Sequence, residues 1–176
     1  MKREIDTAIQ FSGLKSGSYD YSYVLDGIFF SEFENDEILD GKVNFEVKME
    51  KKERVMMFNF VFRGTIETRC DRCLGELEVP VEGEQLLCVK FDDEVTENNE
   101  EDVLILPTTE HTIDLAQWMY EYVVVAMPFQ KIHAEGECDP EVVKYISEEV
   151  DEEGMQDVER EGEVDPRWEA LLKLKK

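Results

Sequence analysis

The sequence has no apolar run of the roughly 18 residues that a membrane-crossing helix requires, and its opening, MKREIDTAIQ, has no apolar core of a secretory signal. A cytoplasmic protein is therefore expected. Basic residues are also scarce. Only 19 Lys and Arg stand against 43 Asp and Glu, leaving a net charge of −24 at pH 7. Nucleic-acid affinity comes largely from cations that neutralise phosphates, so extensive direct contact with RNA or DNA is disfavoured, as is adsorption to anionic lipid. A basic partner suits this charge better. The motifs GxGxxG, GxxxxGK[ST], HExxH and GxSxG are absent, which removes dinucleotide, P-loop, zincin and hydrolase sites. There are only two histidines, His111 and His133, and neither sits in a nucleophile–base pattern. No residue is assigned a catalytic role, and no enzyme activity is expected.

What is present is an ordinary apolar fraction of 42% in 176 residues, enough for one domain with a substantial core. A single domain over residues 1–176 is expected, with acidic loops at about 92–102 and 134–163. The first of these segments carries seven acids and no base; the second carries 13 acids and two bases. Like-charge runs of this kind are usually solvated loops, and they also make an acidic surface for a basic partner.

The first half reads as strand. In KVNFEVKME, Val43, Phe45, Val47 and Met49 alternate with polar residues, the period of a half-buried strand. RVMMFNFVFRGTIETRC and LEVPVEGEQLLCVKF continue the pattern, and Pro80 and Gly83 mark the latter as an edge or bulged strand. Lys51–Glu53 and CDRCLGE are the turns between them, SYDYSYVL adds a strand, and DGIFFSEF reads as a short helix or turn. Downstream, Thr112 is read as the N-cap of a helix ended by Pro128, with Leu115, Trp118, Met119, Tyr122, Val125 and Ala126 on its apolar face. Asp139-Pro140 and Asp165-Pro166 each open a short helix. The predicted fold is α+β: a twisted antiparallel sheet, with curling toward an open barrel left open, covered by one long helix with short peripheral helices.

Four cysteines, Cys70, Cys73, Cys88 and Cys138, are expected to be reduced in a cytoplasmic chain. Cys70 and Cys73 form a CxxC at the tip of a predicted β-turn, a spacing that lets two sulfurs reach one tetrahedral ion. That is half a site. His133 and Cys138, in KIHAEGEC, are the candidates for the other half and complete a Cys3His set for zinc. Two other readings stay open: reduced thiols packed in a hairpin, and a redox CxxC. The redox reading is weakened because the pair lies between strands and not at a helix N-terminus. Cys88 reads as a small packed side chain. Lys48, Lys51, Lys52, Arg54 and Arg63, with Arg69 and Arg72 further on, mark a candidate basic patch on the first hairpin.

Three colinear segments, GTIETRCDRCL (64–74), VVVAMPFQKIHAEGEC (123–138) and DPRWEALLKL (165–174), together resemble the YceD family, the large ribosomal RNA subunit accumulation proteins. The resemblance implies a bacterial cytoplasmic factor in ribosome biogenesis that supports accumulation of large-subunit (23S) ribosomal RNA, with no established enzymatic activity. Cys70, Arg72, Cys73 and Leu74 match the CxRCL motif; Pro128, His133 and Cys138 match the downstream segment; Asp165, Pro166, Arg167 and Leu171 match the terminal one. Many relatives carry further cysteines after the helix, where this chain keeps only Cys138. Arg72, Asp165, Pro166, Arg167 and Trp168 are the candidate partner-binding residues. The expected partner is a large-subunit precursor, a basic ribosomal protein or an assembly factor. A zinc-binding or redox-responsive regulator using CDRC, and an acidic chaperone for a basic ribosomal protein, are the alternative functions.

Overall fold

The computed structural model describes residues 5–33, 35–93 and 103–147 of the chain. It divides into two compact units, Met1–Cys138 and Asp139–Lys176. Candidate residues Asp165, Pro166, Arg167 and Trp168 lie outside the described residues, as do positions 94–102 and 148–163 of the two acidic segments.

In the first unit, alternation of apolar and polar residues produces long strands. β1 (Ala8–Gln10) is followed by β2 (Gly17–Leu25), helix α1 (Gly27–Ser31), β3 (Asp40–Lys51), β4 (Val55–Arg69) and β5 (Glu76–Phe91). Then come β6 (Val103–Leu106), β7 (Thr112–Asp114) and helix α2 (Ala116–Ala126). The main sheet has the order β2-β3-β4-β5-β6, and β1 pairs with β7 in a separate two-stranded ribbon. Among the described residues β2 and β6 do not pair, so the sheet stays open and is no closed barrel. Its pairings are antiparallel except that β6 runs parallel to the last residues of β5, from Cys88↔Val103 to Phe91↔Leu106. Among the described residues, positions 76–87 of β5, including Pro80, are paired on one side only, to β4. A proline there removes no ladder donor on the unpaired side.

One face of this sheet is the core. Val43, Phe45, Val47 and Met49 on β3, Met56, Phe58, Phe60 and Phe62 on β4, and Val79, Val81, Leu87 and Val89 on β5 are buried. Phe45 and Phe62 face each other across the ladder, with ring centroids 4.8 Å apart and nearly parallel planes. Gly83, opposite Phe62, leaves room for that ring: a Cβ there would stand 2.7 Å from its Cζ. Phe29 and Phe30 of α1, Ile9, Phe11, Leu25, Ile38, Ile66, Ile113, Leu115, Ala116, Met119 and Val123 complete the core. α1 begins where the Asp26 carboxylate accepts from Phe29 N at 3.1 Å.

The expectation of one long helix is not met. α2 has 11 residues. Thr112 and Ile113, both β-branched, instead pair with Gln10 and Ile9, and Ile113 enters the core. The helix starts one turn later, where the Asp114 carboxylate accepts from Ala116 N at 3.0 Å. Its buried face is Ala116, Met119 and Val123, with Tyr122 edge-on to Phe60, whereas Val125 is exposed. In the second unit, α3 (Pro140–Ser147) opens as predicted from Asp139-Pro140: the Asp139 carboxylate accepts from Glu141 N at 2.9 Å. No helix among the described residues is long and apolar enough to cross a membrane.

Candidate metal centre

β4 and β5 are joined by residues 70–75, a tight knuckle closed by its own backbone. Cys70 N donates to Gly75 O at 2.8 Å, and Leu74 N donates to Cys70 O at 2.9 Å. Arg72 N donates to Cys70 Sγ at 3.4 Å. The closure forces Leu74 into the left-handed region, φ 59°. For an L-residue with a branched side chain this costs on the order of 1 kcal/mol, which Gly or Asn would largely avoid.

The second half of the site is delivered by the segment after α2. Met127 is extended, Pro128 prevents continuation of the helix, and the chain returns alongside the knuckle. Asp71 N donates to Lys131 O at 2.6 Å, Lys131 N donates to the Asp71 carboxylate at 2.7 Å, and Lys131 Nζ lies 3.9 Å from both Asp71 and Glu37. His133 is thereby held against the two knuckle cysteines, and Cys138 closes the group.

The four side chains meet. Cys70 Sγ and Cys138 Sγ are 3.8 Å apart, His133 Nδ1 is 3.4 Å from Cys73 Sγ and 3.8 Å from Cys138 Sγ, and all four donor atoms lie within 4.8 Å of one another. With zinc–sulfur and zinc–nitrogen bonds of about 2.3 and 2.05 Å, a regular tetrahedron has S···S edges of about 3.8 Å and S···N edges of about 3.6 Å. The Cys70–Cys138, Cys73–His133 and Cys138–His133 distances lie within about 0.2 Å of those edges. His133 Nε2 lies 2.9 Å from Glu76 O. The carbonyl can only accept, so Nε2 carries the proton and Nδ1 is left bare toward the sulfurs, the tautomer a metal ligand needs. The three sulfurs are buried, Cys70 completely.

The electrostatics agree with that role. Burial pushes the Cys70 thiol up, but hydrogen bonds from the backbone at Cys73, His133 and Arg72 outweigh it and bring it down to about 6. Cys138 is raised, first by burial and then by the neighbouring thiols. His133 is raised, chiefly by its hydrogen bond to Glu76 O. One thiolate is thus available at neutral pH to start assembly of a site. A Cys3His set fills all four tetrahedral positions and leaves none for substrate or water, the pattern of a structural and not a catalytic ion. Cys88 stands apart on β5, half-buried, on the face opposite Leu87 and Val89, as its parity predicts.

Of the other predicted residues, Arg72 is exposed at the knuckle. The residues of the proposed basic patch are partly engaged elsewhere. Lys51 turns to donate to the carbonyls of Phe11 and Leu14 at 2.8 and 2.6 Å, Arg63 pairs with Glu82 at 3.6 Å, and Lys48 stands between Asp20 and Asn59 in the ladder. Arg69 and Arg72 lie at the far end of β4, roughly 45 Å along the strand from the 52–54 turn. Sequence reasoning missed the Asp71–Lys131 tie and the exposed Leu74. The left-handed position was detectable in principle, because Leu precedes Gly75 in a closed CxxC turn.

The family model for the large ribosomal RNA subunit accumulation protein YceD matches residues 58–175, which include all four candidate ligands. The chain belongs to the YceD family. No curated protein and no solved structure matches it. For this YceD protein the match begins inside β4 and runs through α3, and β1–β3 lie outside it.

Proposed function

We propose that this YceD protein is a non-enzymatic accessory factor in large-subunit ribosome biogenesis, acting through contacts with a pre-ribosomal particle or a basic protein component of it. The family match over the segment that holds the metal-ligand cluster carries this reading. Cys70, Cys73 and Cys138 as thiolates and His133 through Nδ1 would hold zinc. Bound there, the ion would supply cross-linking stability and no reaction chemistry. The residues around it do the positioning: Glu76 O fixes the imidazole, Arg72 N fixes the Cys70 sulfur, and the Asp71–Lys131 pair keeps the two halves in register. With a net charge of −24, contact with ribosomal RNA is best made through a cationic protein. Shielding such a protein before assembly, as an acidic chaperone, is the second reading favoured by the same charge.

Two measurements test this. Protein purified without chelator should contain about one zinc per chain, and Cys73→Ser should lose it. The tagged protein should co-sediment with large-subunit precursors in a salt-dependent manner; recovery of no ribosomal component at any salt would end the assembly reading.

A further inference from the structure

Three exposed apolar side chains lie on the two segments that carry the candidate metal ligands, without being ligands themselves. Leu74 is 72% exposed and Phe129 is 98% exposed. Ile132 is also exposed. Leu74 occupies a left-handed position where a leucine is strained, and its side chain recovers nothing from burial. Phe129 buries nothing either, although it is two residues from Lys131, whose backbone is hydrogen-bonded to Asp71 of the knuckle. Two peptide steps span at most about 7 Å, so the Phe129 backbone lies within that reach of the residue tied to the knuckle. Gly75, next to Leu74, would place a Cβ 3.6 Å from His133 Cε1, so the Leu74 and Ile132 positions both flank the imidazole. Folding and ligand geometry leave Leu74 and Phe129 without a use, and exposed apolar side chains on neighbouring segments that are hydrogen-bonded to each other mark an interaction surface.

Resting on the assembly role proposed above, we infer that the knuckle and the 129–132 segment form the docking surface for a basic protein of the large ribosomal subunit, with Leu74 and Phe129 as its apolar anchors. Charge selects the class of partner. Glu76, Glu78, Glu135 and Glu137 are exposed in the flanking segments against the exposed Arg69 and Arg72, and the chain as a whole is strongly anionic. A cationic rim complements that surface, whereas a phosphate backbone does not. An aromatic and an aliphatic anchor at the centre with charge at the rim is the usual anatomy of a protein interface. The metal site's part is to hold the loop rigid, so that the anchors are presented with little ordering cost.

The test uses the full chain and two probes: the RNA-free protein fraction of purified large subunits, and naked large-subunit ribosomal RNA. The variants are Leu74→Asn and Phe129→Ser, singly and together. Each should retain its metal content and a Tm equal to or above that of wild type, because Asn suits the left-handed position and Phe129 buries nothing. Binding to a basic protein in the first probe should fall at least tenfold in each single variant. Variants that bind as wild type, with wild type still co-sedimenting with precursors, would overturn the docking surface and leave the assembly role standing. Wild type that binds no protein in the fraction and sediments with no precursor would overturn both. Binding to naked RNA alone, or a wild-type dimer that the double variant makes monomeric, would equally refute the inference by naming a different occupant.

Discussion

Replacing Cys138 with serine removes one of the four ligands and should release the metal cross-link, leaving hydrogen bonds such as Asp71–Lys131 to tie the knuckle to the segment after α2. Cys70 and Cys138 are 68 residues apart in sequence. Treating the metal as a cross-link over a loop of that length, the entropy it removes from the unfolded chain is worth about 4 kcal/mol at 25 °C. Domains have net stabilities of only about 5–15 kcal/mol, so the loss is large. In a protein of this size about 1 kcal/mol moves Tm by roughly 2–4 °C, so Cys138→Ser should melt on the order of 10 °C below wild type. The assay is thermal unfolding followed by circular dichroism, for wild type and variant, each with zinc and with a strong chelator. Wild type with chelator should fall to the variant's Tm, and the variant should not respond to chelator at all. A wild-type Tm indifferent to chelator, or a variant that keeps one metal ion and the wild-type Tm, would refute the reasoning that the four ligands form one stabilising centre.

Acid should release the metal, because the ligands must be deprotonated to bind. Cys70 ionises near 6 in the folded chain against an ordinary value of 9.0. Its ionised form therefore favours the metal-free fold fully above about 9, and that contribution is lost as pH falls through 6. Release of zinc to a colorimetric indicator should rise as pH falls, because protons compete for every ligand, and a flat profile from about pH 7 to 4 would contradict the assignment. Phe60 is fully buried against Tyr122, so Phe60→Ala should cost about 3–5 kcal/mol in urea unfolding. A loss below about 1 kcal/mol would mean that this core is looser than described. Gly83→Ala puts a methyl 2.7 Å from the Phe62 ring and should cost about 1–3 kcal/mol, whereas Gly13→Ala meets nothing within 4 Å and should be near neutral. Equal effects of the two would count against the packing of Phe62.

Much of the sheet was readable beforehand because strand alternation is a local signal. Each of Val43, Phe45, Val47 and Met49 announces its face by its neighbours, and the same parity placed Cys88 away from the core. The start of α2 was not readable. Thr112 is as good a side-chain acceptor for a helix start as Asp114 in isolation, and only the partner strand Ala8–Gln10, about a hundred residues away, makes residues 112–114 a strand. The parallel pairing of β6 has the same cause, since VLIL at 103–106 is equally compatible with any sheet edge. The use of Lys51 was not readable either, since only the folded chain brings the carbonyls of Phe11 and Leu14 to it.

By itself, the sequence determined the charge, the alternation that sorts residues onto the two sheet faces, and a CxxC confined to a β-turn. These depend on neighbours a few positions apart, where sterics and hydrophobic period act directly. The tertiary structure decided that Cys70 and Cys73 meet His133 and Cys138. It also decided that the imidazole presents Nδ1, and that Leu74 and Phe129 remain outside the core. Bringing groups 60 or more residues apart to within 4.8 Å requires closing a long loop, and only burial of the whole sheet-and-helix core offsets that entropy.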